Sequence, residues 1–92
     1  MTDTIRDNTG LHRFELDVDG STAVVTYRLG GNTMTLLHTE VPKALEGHGI
    51  GSRLARAVFD LVRQRGLRAD VRCPFLKSWL ERHPEFADIV AG

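Results

Sequence analysis

The stretch Glu46-Gly47-His48-Gly49-Ile50-Gly51-Ser52-Arg53-Leu54 places three glycines within five residues and leads directly into an amphipathic helix. Glycine adopts backbone angles that other residues avoid, and it lets a ligand approach the main chain closely. The first turn of a helix also has N–H groups without intrahelical partners and a partial positive charge. Together these features are typical of a site for a phosphate or pyrophosphate group. The sequence therefore predicts that the chain binds a phosphorylated molecule at this loop.

The composition indicates one small domain of ordinary character. The chain has 92 residues, of which 41% are hydrophobic and 26% are charged. Its formal net charge of zero argues against a dedicated nucleic-acid-binding protein. The charge is uneven, since residues 1–46 contain four Lys and Arg against seven Asp and Glu, and residues 47–92 contain eight against five. The basic half contains the glycine loop, which fits either an anionic ligand or a solvated helix face.

The cysteine content and the hydropathy pattern predict a cytoplasmic protein without a membrane partner. A single cysteine, Cys73, cannot form an internal disulfide, which favours a reducing compartment. No apolar run approaches the ~20 residues of a membrane-spanning helix, and we recognise no signal peptide. Residues 1–10 are polar and non-periodic, so we expect a flexible N-terminus followed by one domain over 11–92.

The first half of the domain reads as an antiparallel meander. Apolar and polar residues alternate over 12–18 and again over 22–29, as in half-buried strands. Asp19-Gly20 and Gly30-Gly31 supply tight turns, and residues 32–41 form a third strand. The sequence therefore predicts three strands joined by two short hairpins.

The second half begins with a helix after Pro42. Its apolar residues follow helical spacing, and Gly66 is a typical stop signal. The residues of this apolar face are Ile50, Leu54, Ala57, Val58, Leu61 and Val62. Residues 68–73 read as a short strand, and because a helix separates it from the third strand, the two are expected to pair in parallel.

A second helix is predicted from Pro74, a residue that fits the first turn, to a point before Pro84. Residues 85–90 are too short to assign and form either a terminal turn or an edge strand. The element order is therefore β-β-β-α-β-α, which defines an α+β fold with a mixed sheet.

Two common phosphate-binding loops do not match this sequence. A Walker A loop ends in Lys followed by Ser or Thr, whereas Gly51 is followed by Ser52-Arg53. A dinucleotide-binding fingerprint needs a glycine at position 52 and a parallel strand before the loop, and both are missing. The loop instead resembles the Gln/Arg-x-x-Gly-x-Gly/Ala motif of the GCN5-related N-acetyltransferases (GNATs). Glu46 departs from that motif, because it occupies the position of its Gln or Arg.

Further segments extend this resemblance over residues 12–90. His38-Thr39-Glu40-Val41-Pro42 precedes the loop, and Cys73-Pro74-Phe75 and Arg82-His83-Pro84-Glu85 follow it. In this order they resemble the small single-domain GNAT proteins of the YjdJ type. The resemblance implies a three-layer GNAT-like arrangement, acetyl-coenzyme A as substrate and an unknown amine acceptor. A monomer or weak homodimer is expected, without a nucleic-acid partner, and the histidines and the cysteine lack the spacing of a metal site.

The resemblance implies that backbone N–H groups of the glycine loop bind the pyrophosphate of coenzyme A. The strand before the loop would lie beside the pantetheine, and the second helix would flank its other side. Trp79 is either a core residue, which its spacing with Phe75 and Leu76 favours, or a contact of the cofactor. The residues expected to contact the cofactor are Val41, Glu46, Gly47, His48, Gly49, Ile50, Gly51, Ser52, Arg53, Pro74, Phe75, Lys77 and Ser78.

Acetyl transfer to an amine needs an oxyanion donor and a group that handles the amine proton. The Val41 amide is the oxyanion candidate, because Pro42 has no N–H. Glu40 and His38 are the candidate bases, since both would lie on one strand face near the thioester. Cys73 is either a nucleophile, a residue lining the pocket or a buried structural cysteine.

Three functional hypotheses follow. The first is an acetyl-coenzyme A-dependent N-acetyltransferase acting on a small amine or a protein lysine. The second is a coenzyme A-binding module that is non-catalytic or depends on a partner. The third is a nucleic-acid-binding or structural domain, which six arginines between positions 53 and 72 favour and the neutral net charge disfavours.

Overall fold

The computed structural model describes residues 5–47 and 49–91 of the chain. These residues form a mixed five-stranded sheet, two α-helices and two short 3-10 helices. The strands are β1 (Ile5–Asn8), β2 (Arg13–Val18), β3 (Ser21–Gly30), β4 (Thr33–Glu40) and β5 (Arg68–Val71). The helices are α1 (Ile50–Gln64) and α2 (Pro74–Glu81), with 3-10 turns at Lys43–Leu45 and Pro84–Ile89.

The sheet has the order β1-β2-β3-β4-β5, antiparallel from β1 to β4 and parallel between β4 and β5. The expected α+β class and the parallel crossover are therefore confirmed. The hairpin at Asp19-Gly20 is also confirmed, with both residues at positive φ as a two-residue turn between right-twisted strands requires. The second turn consists of Gly31 and Asn32, one residue later than expected, because Gly30 still pairs with Thr33.

The N-terminal expectation is wrong for residues 5–8. We expected residues 1–10 to be a flexible N-terminus, but β1 pairs antiparallel with β2 from Ile5↔Leu16 to Asn8↔Arg13. The Tyr27 hydroxyl donates a hydrogen bond to Asp7, and Arg65 of α1 forms an ion pair with the same carboxylate at 2.8 Å. These polar contacts across the fold fix a strand that has no strong hydrophobic alternation of its own.

The C-terminal segment combines both alternatives left open by the sequence. Pro84–Ile89 forms a 3-10 helix with Phe86 and Ile89 buried. Val90 then makes a single parallel bridge to Ala69 of β5. The end of the chain therefore covers the edge strand β5, which would otherwise expose unpaired backbone groups.

Both α-helices pack against one face of the sheet. Phe14, Val25 and Leu36 share that face and belong to a single core cluster with the apolar residues of α1 and α2. On the opposite face, Glu15 and Val24 are the buried residues among those described. The described helices and the sheet therefore make two layers, whereas the family resemblance had implied three.

Helix α1 is buried more widely than its sequence pattern predicted. Ala55 and Phe59 are fully buried, whereas Ala57 and Leu61, assigned to the apolar face, are only partly so. The reason is that α1 packs on two neighbours, the sheet and α2, with the Phe59 ring stacked 5.6 Å from Trp79. Gly66 ends the helix as predicted. No helix described in 5–47 and 49–91 is long and apolar enough to cross a bilayer.

Glu15 is a buried carboxylate on the open face of the sheet. It accepts a 2.6 Å contact from Arg13 Nε, a 3.2 Å hydrogen bond from Asn8 and a 3.0 Å contact from Arg6. The hydrogen bonds from Arg13, and then from Asn8, hold the pKa of Glu15 below its ordinary value. The cluster joins β1 to β2 by charge instead of by apolar contacts.

We expect the ionised Glu15 carboxylate to contribute fully to the free energy of unfolding at any pH above the ordinary glutamate pKa. This contribution should be lost as the pH falls through the lowered pKa of Glu15 in the folded protein, because protonation weakens contacts that exist only after folding. Glu15→Gln should therefore lower the free energy of unfolding at neutral pH and much less at pH ~3. Urea unfolding over this range measures the difference, with the exposed Glu81→Gln as control. A constant difference between wild type and Glu15→Gln would contradict this role.

Candidate functional site

The glycine loop enters α1 with two residues in the left-handed region. Gly47 has φ of 83° and Gly49, the N-cap of α1, has φ of 70°. A Cβ at either position would meet no heavy atom within 4 Å, so these glycines are required by the backbone angle and not by crowding. The Arg53 N–H bonds to the Gly49 carbonyl at 3.1 Å. The three preceding N–H groups, from Ile50 to Ser52, thus have no partner inside the helix.

Gly51 has a different reason to be glycine. A Cβ at this position would lie 2.8 Å from the end of the Phe75 ring. The absence of a side chain at Gly51 therefore leaves room for the Phe75 ring against the first turn of α1. Phe75 is 40% exposed, so its ring forms part of a surface at this junction and is not a core residue.

Ser52 connects the same turn to the core. The Trp79 indole N–H donates a 2.8 Å hydrogen bond to the Ser52 hydroxyl. Trp79 is 1% exposed, as expected for a core residue, and its ring lies between Phe59 and His83. The hydroxyl expected to contact a phosphate therefore has a structural partner already, although its own proton remains available for donation.

A β-bulge in β4 decides which side chains face the helices. Leu36 lies opposite Tyr27 and His38 lies opposite Thr26, so Leu37 is an extra residue in β4. Beyond the bulge, Thr39 lies opposite Val25, which is a core residue. Thr39 therefore faces the helices, and His38 and Glu40 face the open side of the sheet.

The strands β4 and β5 separate after Leu36. Their parallel pairing ends at Leu36↔Val71, and the last bond runs from the Arg72 N–H to the Leu36 carbonyl at 2.9 Å. The rest of β4 pairs with β3 alone. This separation leaves one backbone edge of β4 open toward the start of α2.

Strand alternation indicates which groups line that edge. The Tyr27 N–H bonds to His12, on the β2 side of β3, so Thr26 directs its backbone groups toward β4. His38, opposite Thr26, and Glu40 then direct theirs back toward β3. The backbone groups of Thr39 accordingly point to the open edge, and continued alternation past the end of β4 would direct those of Val41 the same way.

Two adjoining cavities follow this edge. The first, of about 510 Å³, lies at the end of β4 and is lined by Thr39, Glu40, Val41, Glu46 and Phe75. The second, of about 330 Å³, shares Val41, Glu46 and Phe75 with it and extends along the glycine loop. Its remaining lining residues are Leu45, Gly47, Gly49, Ile50, Gly51, Ser52, Trp79 and Arg82. The two cavities adjoin at Val41, Glu46 and Phe75, and we refer to them together as the cleft.

The cleft thus brings together most of the residues expected to hold the cofactor. Arg53 and Lys77 are exceptions: Arg53 lines a separate depression with Asp19 and Ser21, and Lys77 lines another with Leu80. Pro74 and Ser78 are exposed on α2 beside the cleft without lining it. His48 lies outside the described residues.

The catalytic candidates lie in two different environments. His38 Nε2 is 3.4 Å from Glu40 Oε1, and both side chains are about two-thirds exposed. Cys73 is the N-cap of α2, is 4% exposed and lies with its thiol 3.3 Å from the Thr39 hydroxyl. Cys73 is therefore buried against β4, and it is not among the lining residues of the cleft, whereas its partner Thr39 is.

Three lining residues were missed in the sequence, namely Thr39, Leu45 and Arg82. Thr39 was overlooked because the bulge that turns it toward the helices has no clear sequence signal. Arg82 was overlooked although a signal exists: it lies seven residues after Phe75 and three after Trp79, on the same helical face. Within 5–47 and 49–91, no group of three His, Cys, Asp or Glu side chains could hold a metal ion.

The separated strands and the glycine loop before a helix define an α+β domain whose cleft lies between the end of β4 and the starts of α1 and α2. The family model described as GCN5-related N-acetyl-transferase matches residues 13–89. A GCN5-like N-acetyltransferase candidate from Staphylococcus aureus, solved by NMR, superposes with a TM-score of 0.72 and 30% identity. That superposition covers 97% of this chain and 88% of the other. The chain therefore belongs to the GCN5-related N-acetyltransferase family.

Curated relatives carry the same domain within longer chains. Protein NATD1 of Bos taurus is 40% identical over 63 residues, which cover 67% of this chain and 56% of that protein. Protein NATD1 of Xenopus tropicalis is 38% identical over 63 residues, covering 67% and 58%. The chain thus spans little more than half the length of these relatives.

We predict that Ser52→Ala destabilises the fold by about 1–3 kcal/mol, because it leaves the buried Trp79 N–H without its acceptor. Ser78→Ala, an exposed serine on α2, is the matched control and should change stability by less than about 0.5 kcal/mol. Chemical unfolding of the three proteins measures both effects. Equal stability of the two variants would show that the indole bond contributes little.

Proposed function

We propose that the chain is an acetyl-coenzyme A-dependent N-acetyltransferase that transfers the acetyl group to an amine. The observation that carries this proposal is the pair of adjoining cavities, one at the open edge of β4 and one at the first turn of α1. Membership of the GCN5-related family supports it. In this proposal acetyl-coenzyme A is a substrate, and the acceptor is a small amine or a protein lysine.

The pyrophosphate would bind at the start of α1. The N–H groups of Ile50, Gly51 and Ser52 have no intrahelical partners, and the positive end of the helix dipole lies at the same place. Gly47 and Gly49 leave the approach free of side chains. Glu46 also lines this cavity, so one carboxylate opposes the phosphate charges.

The acyl end would lie beside Thr39 and Val41, where β5 no longer covers β4. The Val41 N–H, directed to the open edge, would donate a hydrogen bond to the thioester oxygen as that oxygen becomes negative. The amine nitrogen then forms a bond to the carbonyl carbon, and the carbon–sulfur bond breaks. The amine proton passes to Glu40, directly or through His38 at 3.4 Å, and the departing thiolate takes up a proton.

Cys73 is proposed to act as a structural residue and not as a nucleophile. Its thiol is buried and lies against the Thr39 hydroxyl, whereas the lining residues of the cleft come from β4, the loop and α2. A covalent acetyl-cysteine would require displacement of Thr39. Direct attack by the amine needs no such movement.

A coenzyme A-binding module without catalysis is the second candidate function. The observation in its favour is the exposure of both proton-handling candidates, with side chains of His38 and Glu40 open by 65% and 67%. A general base at this position is exposed to solvent unless an acceptor or a partner protein covers it, which is less favourable for catalysis by the isolated chain. Turnover with a panel of amines separates this function from the first.

The binding prediction concerns the loop. A hundredfold excess of acetyl-coenzyme A or coenzyme A over its dissociation constant should stabilise the wild type by about 2.7 kcal/mol, and ATP should not. Gly49→Glu should abolish this shift. Gly31→Glu is the matched control, because Gly31 also has positive φ (59°) and open space but lies in the β3–β4 turn. Ligand shifts of equal size in both variants would place the phosphates elsewhere.

The catalytic prediction concerns the open end of the cleft. Glu40→Gln should lower kcat by on the order of 10²–10⁴ and leave coenzyme A binding unchanged, because it removes a base and no cofactor contact. Cys73→Ala should retain kcat within about tenfold. Release of the free thiol from acetyl-coenzyme A, followed with the amine panel, measures both. Loss of all turnover in folded Cys73→Ala, with Glu40→Gln active, would reverse the two roles.

A further inference from the structure

Arg82 lines the glycine-loop cavity and has no role in the scheme above. It is the C-cap of α2, its side chain is exposed, and its backbone N–H bonds to the Trp79 carbonyl. Phe75, Trp79 and Arg82 lie on one face of α2, and all three line the same cavity as Gly47 and Gly49. Arg82 therefore belongs to the α2 side of this cavity, and its exposed side chain carries a cation there.

The position of Arg82 along α2 distinguishes it from the loop residues. Phe75, at the start of α2, lines both cavities and marks the acyl end of the cleft. Seven residues of helix separate Phe75 from Arg82, which corresponds to about 10 Å along the axis. Arg82 lines only the glycine-loop cavity, whereas Thr39 and Glu40 line only the first cavity.

The charges of the cavity point to an anionic group at this end. Among the described residues that line it, Arg82 is the one cation and Glu46 the one anion. Glu46 lines the acyl-side cavity as well, whereas Arg82 does not. A ligand that carries phosphate is therefore attracted at the Arg82 end and repelled near Glu46.

Coenzyme A carries a phosphate monoester on its ribose, beyond the pyrophosphate when counted from the thioester. A monoester has nearly two negative charges near neutral pH and three acceptor oxygens, and guanidinium binds such a group with two parallel hydrogen bonds. Thr39 and Glu40 line only the acyl-side cavity, and the glycine loop and Arg82 line only the other cavity, so both phosphate groups of one coenzyme A molecule would lie on the Arg82 side.

We infer that Arg82 binds the 3′-phosphate of coenzyme A and makes the cleft select coenzyme A over 3′-dephospho-coenzyme A. The inference rests on the proposed function, because it assumes that coenzyme A occupies the cleft. A structural alternative exists: a cation at the C-terminal end of α2 also interacts favourably with the helix dipole. That role would change stability but would not depend on the ribose phosphate.

The experiment measures the affinities of coenzyme A and 3′-dephospho-coenzyme A by calorimetry for wild type, Arg82→Gln and Arg28→Gln. Arg28 is an exposed arginine on β3 that lines a different cavity and serves as the control. Wild type and Arg28→Gln should bind coenzyme A about three- to tenfold more tightly than the dephospho form. Arg82→Gln should bind the two ligands equally, and its affinity for the dephospho form should stay at the wild-type value. Added salt should reduce the preference of the wild type.

Each other outcome has a definite meaning. An equal loss of affinity for both ligands in Arg82→Gln would assign Arg82 to the pyrophosphate and overturn the inference. A preference for coenzyme A that persists in Arg82→Gln would overturn it as well, as would a wild type without preference. If the wild type binds neither ligand, the proposed function fails and the inference fails with it. In the outcomes above, coenzyme A still binds, so only the inference fails.

Discussion

The separation of β4 from β5 after Leu36 is the constraint on which the candidate site depends. A strand in the middle of a sheet has both backbone edges paired, so it has no free N–H or C=O groups that could bind a ligand. Here β4 continues for four residues beyond the last pair with β5, and β5 leads into α2 at Cys73. The bulge at Leu37 adds a second effect, because it turns Thr39 toward the helices and leaves His38 and Glu40 on the open face. The position of the site is therefore determined by the backbone, through the end of the β4–β5 pairing and the bulge at Leu37.

The first turns of α1 and α2 must be held together for the cleft to keep its shape. Gly51 allows the close approach, and Trp79 fixes it through Ser52 and through ring contacts with Phe59 and His83. The His83 ring nitrogen also contacts the Trp79 carbonyl at 2.8 Å. A buried indole with its N–H satisfied and both faces covered is a rigid support. In this domain the aromatic core thus orients the glycine loop directly.

The sequence predicted the elements and the loop better than the details of the cleft. The strands, both helices, the Asp19-Gly20 turn and the crossover follow local rules of periodicity and turn chemistry, so they can be predicted from single segments. Strand β1 could not, because Tyr27, Arg65 and Glu15 hold it from distant parts of the chain. The facing of Thr39 depends on one extra residue in β4, which no alternation pattern marks. Lys77 was misplaced for a related reason: proximity in sequence to Phe75 did not mean the same helical face.

The distribution of charge in the cleft explains how this chain tolerates Glu46 where the family motif has Gln or Arg. A carboxylate beside a pyrophosphate weakens binding, since like charges at close range disfavour each other at the low dielectric of a cleft. In the proposed complex two features would offset this cost: the N–H groups of α1 without intrahelical partners and the positive charge of Arg82 in the same cavity. Glu46 also borders the acyl-side cavity together with Glu40, so the negative charge lies nearest the end where a positively charged amine would arrive. Glu46 would therefore weaken phosphate binding, but together with Arg82 it gives the cleft a negative charge on the acyl side and a positive charge on the phosphate side.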